Sequence, residues 1–364
     1  MKVVMLLGVS TGGVASHVAQ IGARLRDQGV EVMVVTHPIT AERFDLNPVR
    51  LWWPGSGGWF RTLHDFARLR TLASASDVLH AHGLRAGALG VLAVRSLPRA
   101  RWPRVVVTLH NVPVGGRSLR AVSAGFERVV ARGADVVLGV SGDLVDRTRA
   151  LGASQCARAL VPAPVRPPIH RDKAQVRESL RVHEGDVLLV TVARLAPQKG
   201  LDTLSDTSLL LKGRVDAGEV PGATGLTWAV AGEGPLEGYL DRRIESEGLP
   251  VIALGRRDDV PDLLAAADLV VSTAVWEGQP IWLQEAMALG AAIVATDVGG
   301  TREVTGDGAS LVPAGDPASL SDRVVDLLSD RSRAQALREA ALERRQELPT
   351  TSDVVAQLLA VYTG

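Results

Sequence analysis

Short runs of apolar, mostly β-branched residues recur along the chain. Each is followed by a longer stretch whose apolar positions return every three or four residues, the alternation of buried strands and covering helices. The runs predict strands over Lys2–Leu7, Glu31–Thr36, Val78–His80, Arg104–Leu109 and Val136–Val140. Val161–Pro168, VPAPVRPP, carries four prolines and no helical pattern, and reads as a semi-rigid linker. The alternation then resumes with strands over Val187–Val192, Thr227–Ala231, Val251–Leu254, Leu269–Ser272, Ala292–Thr296 and Ala309–Val312. Two βαβ series joined by a proline-rich connection predict two doubly wound α/β domains with a cleft between them. Pro317–Leu348 reads as one strongly charged helical pattern that Pro349 ends. Ser352–Tyr362 is apolar at helical spacing, and packing against either domain would satisfy it.

The opening MKVVMLLGVSTGG has too short an apolar run, and no cleavage pattern after it, for a signal peptide, and is read as a first buried strand. No window holds the roughly 18 apolar residues of a membrane-spanning helix. These features predict a soluble, cytoplasmic protein.

Forty basic and forty acidic side chains give zero formal charge, which argues against a nucleic-acid partner. The balance is uneven, however. Residues 1–168 carry 21 basic and 10 acidic side chains, a surplus of +11 that the remainder cancels, so the two halves should meet different partners. A single cysteine, Cys156, excludes a disulfide framework and a four-cysteine zinc site.

Three stretches bring candidate chemistry to strand ends. Gly8–Gly13 follows the first strand and opens a helix, so backbone N–H groups near Gly12 and Gly13 could meet an anion; read alone, it is equally a tight turn. It lacks the GxGxxG spacing, and no acidic residue is placed for a ribose, so a dehydrogenase is disfavoured. In Val192–Gly200, Arg194 and Lys199 stand five apart just after a strand, where two cations would neutralise a diphosphate without a metal. A solvated loop pair is the plain alternative. The third stretch, Trp276–Gly290, sets Glu277 and Glu285 eight apart across a turn and a helix start; paired carboxylates accept hydrogen bonds from hydroxyl-rich ligands. A helix-start acid and an exposed helix residue would look the same.

His110 ends a strand on the sheet edge where α/β sites are built. His80 and His82 also end a strand; only one is expected to point inward, and both are secondary candidates. His17 is assigned to helix packing. HExxH, CxxC, DxD and Walker patterns are absent, so neither a metal nor another cofactor is expected.

Taken in order, these stretches resemble family 4 of the retaining glycosyltransferases. The resemblance runs from the Gly12-Gly13 turn through the Asp77–His82 strand, the Arg194–Lys199 spacing, Ala231–Pro235, Gly255–Val260 and Ala295–Gly300, and is strongest at the Glu-x₇-Glu pair Glu277 and Glu285. It implies a GT-B fold of two facing Rossmann-like domains. Residues 1–165 with a returning helix 350–364 would bind the acceptor, and 166–349 the nucleotide-sugar donor. It also implies a retaining, metal-independent transfer of a hexose-type sugar from a UDP- or GDP-sugar.

By the same resemblance Arg194 and Lys199 grip the donor diphosphate, Glu285 the ribose and Glu277 the sugar hydroxyls. His110 lies near the transferred sugar, Gly13 at the turn approaching the diphosphate, and the Gly255–Asp258 loop, with Arg256, at the base. The segment Gly278, Gln279, Pro280 and Ile281 departs from the family's Glu-Gly-Phe-Gly. Pro280 removes a backbone donor, so an amide contact there falls to Gln279 or Ile281, and Gln279 adds a side-chain amide able to select the donor sugar. An epimerase-type enzyme acting on nucleotide sugars, or a sugar-binding protein without chemistry, would share part of this pattern.

The acceptor is not legible. Arginines at 61, 68, 70, 85, 95, 99, 101, 104, 117 and 120, with Trp59-Phe60 beside Leu63, Phe66 and Leu69, suggest a face for an anionic membrane and a lipid-linked or phosphorylated acceptor. This places the protein peripherally at the inner face of the membrane. Solvated arginines and ordinary helix packing explain the same residues.

Overall fold

The structure is a computed structural model that describes residues 1–10, 12–44, 49–50, 59–112 and 117–364, without the side chains of 49–50, 59–61 and 117–119. The Trp59-Phe60 pair, Arg61 and Arg117 therefore lie outside the described side chains. The chain divides into two compact units, Met1–Pro162 with Pro349–Gly364, and Ala163–Leu348.

The first unit holds β1 (Lys2–Leu7), β2 (Glu31–Thr36), β3 (Val49–Arg50), β4 (Val78–His82), β5 (Arg104–Leu109), β6 (Val136–Gly139) and β7 (Cys156–Arg158). They form one parallel sheet in the order β3-β2-β1-β4-β5-β6-β7. Val105, Val106 and Val107 are all fully buried, because helices cover both faces of a parallel sheet and a central strand meets apolar layers on either side.

The second unit holds β8 (Asp186–Val192), β9 (Gly225–Ala231), β10 (Val251–Ala253), β11 (Leu269–Ser272), β12 (Ile293–Thr296) and β13 (Ser310–Val312). These are parallel in the order β10-β9-β8-β11-β12-β13. Val187 and Leu189 join one apolar cluster and Leu188 and Val190 the other, so successive residues of β8 feed the layers on opposite faces.

Two expectations change. The pattern Pro317–Leu348 is two helices, Pro317–Ser329 and Arg331–Gln346. The break is chemical: the Asp330 carboxylate accepts from the Ser332 and Arg333 amides at 3.0 and 3.2 Å, capping the second helix where a residue without a side-chain acceptor would have let the first continue. The edge strands β3 and β7, of two and three residues, leave no recognisable apolar run.

The helix Thr351–Thr363 belongs to the first unit. Gln357 fastens it to the chain after β7, accepting from the Leu160 amide at 2.9 Å and donating to the Arg158 carbonyl at 2.8 Å; Arg104 on β5 donates to the Val361 carbonyl at 2.7 Å. Among the described residues no helix is long and apolar enough to cross a membrane.

Candidate functional site

In each sheet the strand order reverses between two neighbouring strands, β1 and β4 in the first unit and β8 and β11 in the second. Loops leaving the carboxyl ends of such strands diverge to opposite faces and open a crevice at the sheet edge. Gly12-Gly13 follows β1 and His82 ends β4; Arg194 and Lys199 follow β8, and Glu277 follows β11.

In the second unit two glycines let these loops close on one another. Gly200 has φ +63°, and a Cβ there would collide with the Thr273 carbonyl. The Thr273 hydroxyl donates to the Lys199 carbonyl at 2.9 Å, and the Val275 amide to the Gln198 carbonyl at 2.9 Å. Gly299, at φ +51°, likewise leaves no room for a Cβ beside the Glu277 carbonyl, which accepts from the Gly300 amide at 2.9 Å. Between these fixed backbones the Lys199 ammonium donates to the Glu277 carboxylate; their side chains are 13% and 10% exposed.

Arg194 shares the loop with Lys199 but is exposed and, among the described residues, without an ion-pair or hydrogen-bond partner. Arg256 is likewise exposed, in the loop after β10, which the Gly232 amide holds through the Gly255 carbonyl at 2.8 Å. Its neighbour Arg257 is structural, paired with Asp259 at 2.6 Å. Gly278 and Pro280 are buried and Gln279 and Ile281 half-buried at the start of the helix Ile281–Ala288, which has no side-chain N-cap. Glu285 lies in that helix's second turn, half-buried, and burial pushes its carboxyl above the usual range. Buried Gln284 beside it leaves Nε2 without a partner.

In the first unit the Gly12 carbonyl accepts from the Ala15 amide at 3.1 Å at the start of the helix Gly13–Asp27. Gly12 and Gly13 are exposed, and a Cβ on Gly12 would meet nothing within 4 Å. His110 does not stand alone. Its Nε2 lies 3.2 Å from Nδ1 of His82, with the rings stacked at 5.5 Å. His17, one turn into the helix, sits edge-on to both at 6.1 and 5.9 Å.

His80 and His82 share one face of β4 with ring centroids 4.2 Å apart, contrary to the expectation that only one points inward. Residues two apart on a strand necessarily face the same way. His80 bonds the Tyr362 and Thr108 hydroxyls, each at 2.7 Å. Burial lowers these histidines, joined at His80, His82 and His110 by the charges the neighbouring rings would carry: His17 to about 4, His80 to about 3, His82 and His110 well below their usual range. All four are neutral at pH 7. The sequence alone leaves His17 and His82 peripheral; the i, i+2 spacing of His80 and His82 signals a shared face, and the register pairs His82 with Thr108, two residues before His110. Among the described residues no three His, Cys, Asp or Glu side chains are arranged to hold a metal ion.

Several arginines of the basic half are committed to the fold. Arg95 donates to the Gly133 carbonyl at 2.7 Å, pairs with Asp135 at 3.0 Å and lies over the Trp102 ring. Arg70 donates to the Ser96 carbonyl and Arg104 to that of Val361. Arg85, Arg99, Arg101 and Arg120 are exposed.

Two parallel-sheet units of this kind are the parts of a GT-B fold, and the comparisons supply the class of protein. Residues 12–164 match the glycosyl transferase 4-like domain and residues 172–344 the glycosyl transferases group 1. The chain belongs to the group 1 glycosyltransferases and is a transferase enzyme. It is 23% identical to N-acetyl-alpha-D-glucosaminyl L-malate synthase of Bacillus anthracis over 97% of this chain and 94% of that one. It is 28% identical to D-inositol 3-phosphate glycosyltransferase of Geodermatophilus obscurus, over 97% and 85%. The structure of Anabaena HepE in complex with UDP-glucose superposes with a TM-score of 0.80 over 99% of each chain at 20% identity, which establishes the shared fold.

Proposed function

We propose that this enzyme moves a hexose-type sugar from a UDP- or GDP-sugar to an envelope or lipid-linked acceptor, with retention and without a metal. The observation that carries the reading is the Lys199–Glu277 pair: a cation and a carboxylate, largely shielded from water, at the carboxyl ends of the two strands where the second sheet reverses. A cation held there meets the charge that grows on a diphosphate as the sugar–phosphate bond breaks, and low exposure strengthens that interaction. Arg194, five residues away and without a partner among the described residues, adds a second positive charge. Glu277 and Glu285 offer acceptors to sugar and ribose hydroxyls, Gln279 and the Gly278–Ile281 backbone border them, and Arg256 extends the site toward the base. His110 serves the transferred sugar and the Gly12-Gly13 amides the diphosphate. The complex of Anabaena HepE with UDP-glucose supports a nucleotide-sugar donor.

No carboxylate is assigned as a covalent nucleophile, so the acceptor oxygen returns on the face the diphosphate left. The acceptor belongs to the first unit, and the exposed Arg85, Arg99, Arg101 and Arg120 favour an anionic one at the inner membrane face, with the protein otherwise cytoplasmic. Flotation with anionic liposomes at low salt tests that face, and no binding there removes it.

Thermal melting with UDP, GDP, ADP or no nucleotide, each with and without EDTA, tests the donor site. One nucleotide should raise the melting temperature, by an amount corresponding to about 2.7 kcal/mol at a hundredfold excess over Kd. Lys199→Ala should abolish the shift. No shift with any nucleotide, or a shift that EDTA removes, defeats the proposal.

A further inference from the structure

The hydrogen-bond inventory around His110 constrains more than its position. His82 is 3% exposed and has two ring nitrogens to satisfy. Its Nδ1 meets His110 Nε2 at 3.2 Å, while its Nε2 is sealed from water and, among the described residues, has no partner. No neighbouring ring relieves it. Both nitrogens of His80 are engaged by the Tyr362 and Thr108 hydroxyls, and Nδ1 of the other neighbour, His17, is itself buried and, among the described residues, without a partner.

With both imidazoles neutral, one proton lies between His82 and His110, and only two arrangements exist. If His110 donates, the remaining proton of His82 sits on Nε2 as a buried N–H with no acceptor. If His82 donates, its Nε2 is a bare lone pair. A buried N–H without an acceptor is among the rarest defects in folded proteins, whereas an under-used acceptor is better tolerated. The second arrangement therefore prevails. His110 then carries its own proton on Nδ1, and as a residue it is half-buried where His82 is buried.

We propose that His82 is a positioning residue for sugar transfer: by donating from Nδ1 to His110 Nε2, it fixes His110 as a neutral hydrogen-bond donor that presents Nδ1–H to a substrate oxygen. His110 is then unable to act as a general base through Nε2, which is occupied, or through Nδ1, which is protonated. Its partner is an acceptor atom, a sugar hydroxyl or ring oxygen. The substrate rests on the glycosyl-transfer reading above; the tautomer does not.

Long-range ¹H–¹⁵N correlation spectra of the full chain labelled with ¹⁵N-histidine read the tautomers directly, and His110→Gln and His82→Asn assign the signals. The expected result is protonated Nδ1 and bare Nε2 on both His82 and His110; a His110 ring protonated on Nε2 overturns the proposal. Two variants test the positioning role. His82→Asn places an amide N–H close to the former Nδ1 and should keep both the His110 tautomer and turnover. His82→Leu removes the donor, and should leave His110 a mixture of tautomers and lower kcat about tenfold with little change in KM for the nucleotide sugar. A His110 tautomer or kcat unchanged in His82→Leu also overturns the proposal. If the unaltered enzyme transfers no sugar from UDP-glucose or GDP-mannose, the glycosyl-transfer reading suffers instead, and the spectra still decide the tautomer.

Discussion

The indole N–H of Trp228 donates to the Thr191 hydroxyl at 2.9 Å, and that hydroxyl donates to the Val271 carbonyl at 2.6 Å. Three adjacent strands, β9, β8 and β11, are thus joined by side chains as well as by their ladder, beneath the loops that carry Lys199 and Glu277. Trp228 is fully buried, so its N–H has no recourse to water. Thr191→Val should strand that donor and cost about 1–3 kcal/mol. The melting temperature should fall roughly 2–4 °C per kcal/mol in a unit of this size. Thr191→Ser, which keeps both bonds, should stay near the unaltered protein.

The Lys199–Glu277 pair separates stability from activity. Lys199→Ala leaves a largely buried carboxylate without its counter-ion, a defect that costs about 3–5 kcal/mol in a fully buried pair and less here, where each side chain keeps some exposure. The double variant Lys199→Met, Glu277→Leu removes both charges and should recover most of the lost stability. Turnover should fall about 10²–10³-fold with loss of the lysine alone and stay low in the double variant. Melting curves beside single-turnover rates check both halves; recovered turnover in the double variant would refute the assigned role.

Gly200→Ala should be severe although it adds one methyl group. The left-handed backbone disfavours a Cβ, and that Cβ would press on the Thr273 carbonyl. Loss of more than about 1 kcal/mol is expected. Because the adjoining residue is Lys199, nucleotide affinity should fall with it. Ala at the exposed Gly218, also at positive φ but with nothing within 4 Å, is the control for backbone strain alone.

Acid should destabilise the first unit through its histidines. His17, His80, His82 and His110 all titrate below 6.5 when folded, chiefly because burial disfavours the charged form. Between those depressed values and 6.5 the unfolded chain binds more protons than the folded one, so stability rises with pH across that window. It is complete above pH 6.5 and is lost as pH falls through that window, to about 4 for His17 and about 3 for His80. Unfolding at pH 5 should take up about four protons from this cluster, measurable from the slope of stability against pH. His17→Leu should reduce that uptake by about one.

Legibility from the sequence followed burial. The central strands β1, β5, β8 and β11 announce themselves because both faces are covered and the apolar run is unbroken, whereas β3 and β7, at the sheet's margins, need no such run. Lys199 and Glu277 each stood out as a residue type in a glycine-containing loop, but nothing in a separation of 78 positions says that they bond. That contact exists because β8 and β11 are neighbours in the sheet, a fact of topology. The histidine cluster was obscured differently. His80 and His82 are two apart and so share a face, and the register through Thr108 then brings in His110; each step is local, but the result joins three elements.

Tyr362 and His80 bond across a sequence separation of 282 positions, and the whole second unit is written between them. At about 5–20 residues per second, the strand that carries His80 waits roughly 15–60 s for its partner during synthesis. The first unit leaves the ribosome first and is finished last. Through that interval its sheet holds a polar imidazole with one hydroxyl instead of two and an uncovered Arg104. Folding of the first unit is therefore tied to translation of the second, and a chain arrested before the returning helix presents this gap as a mark of incompleteness.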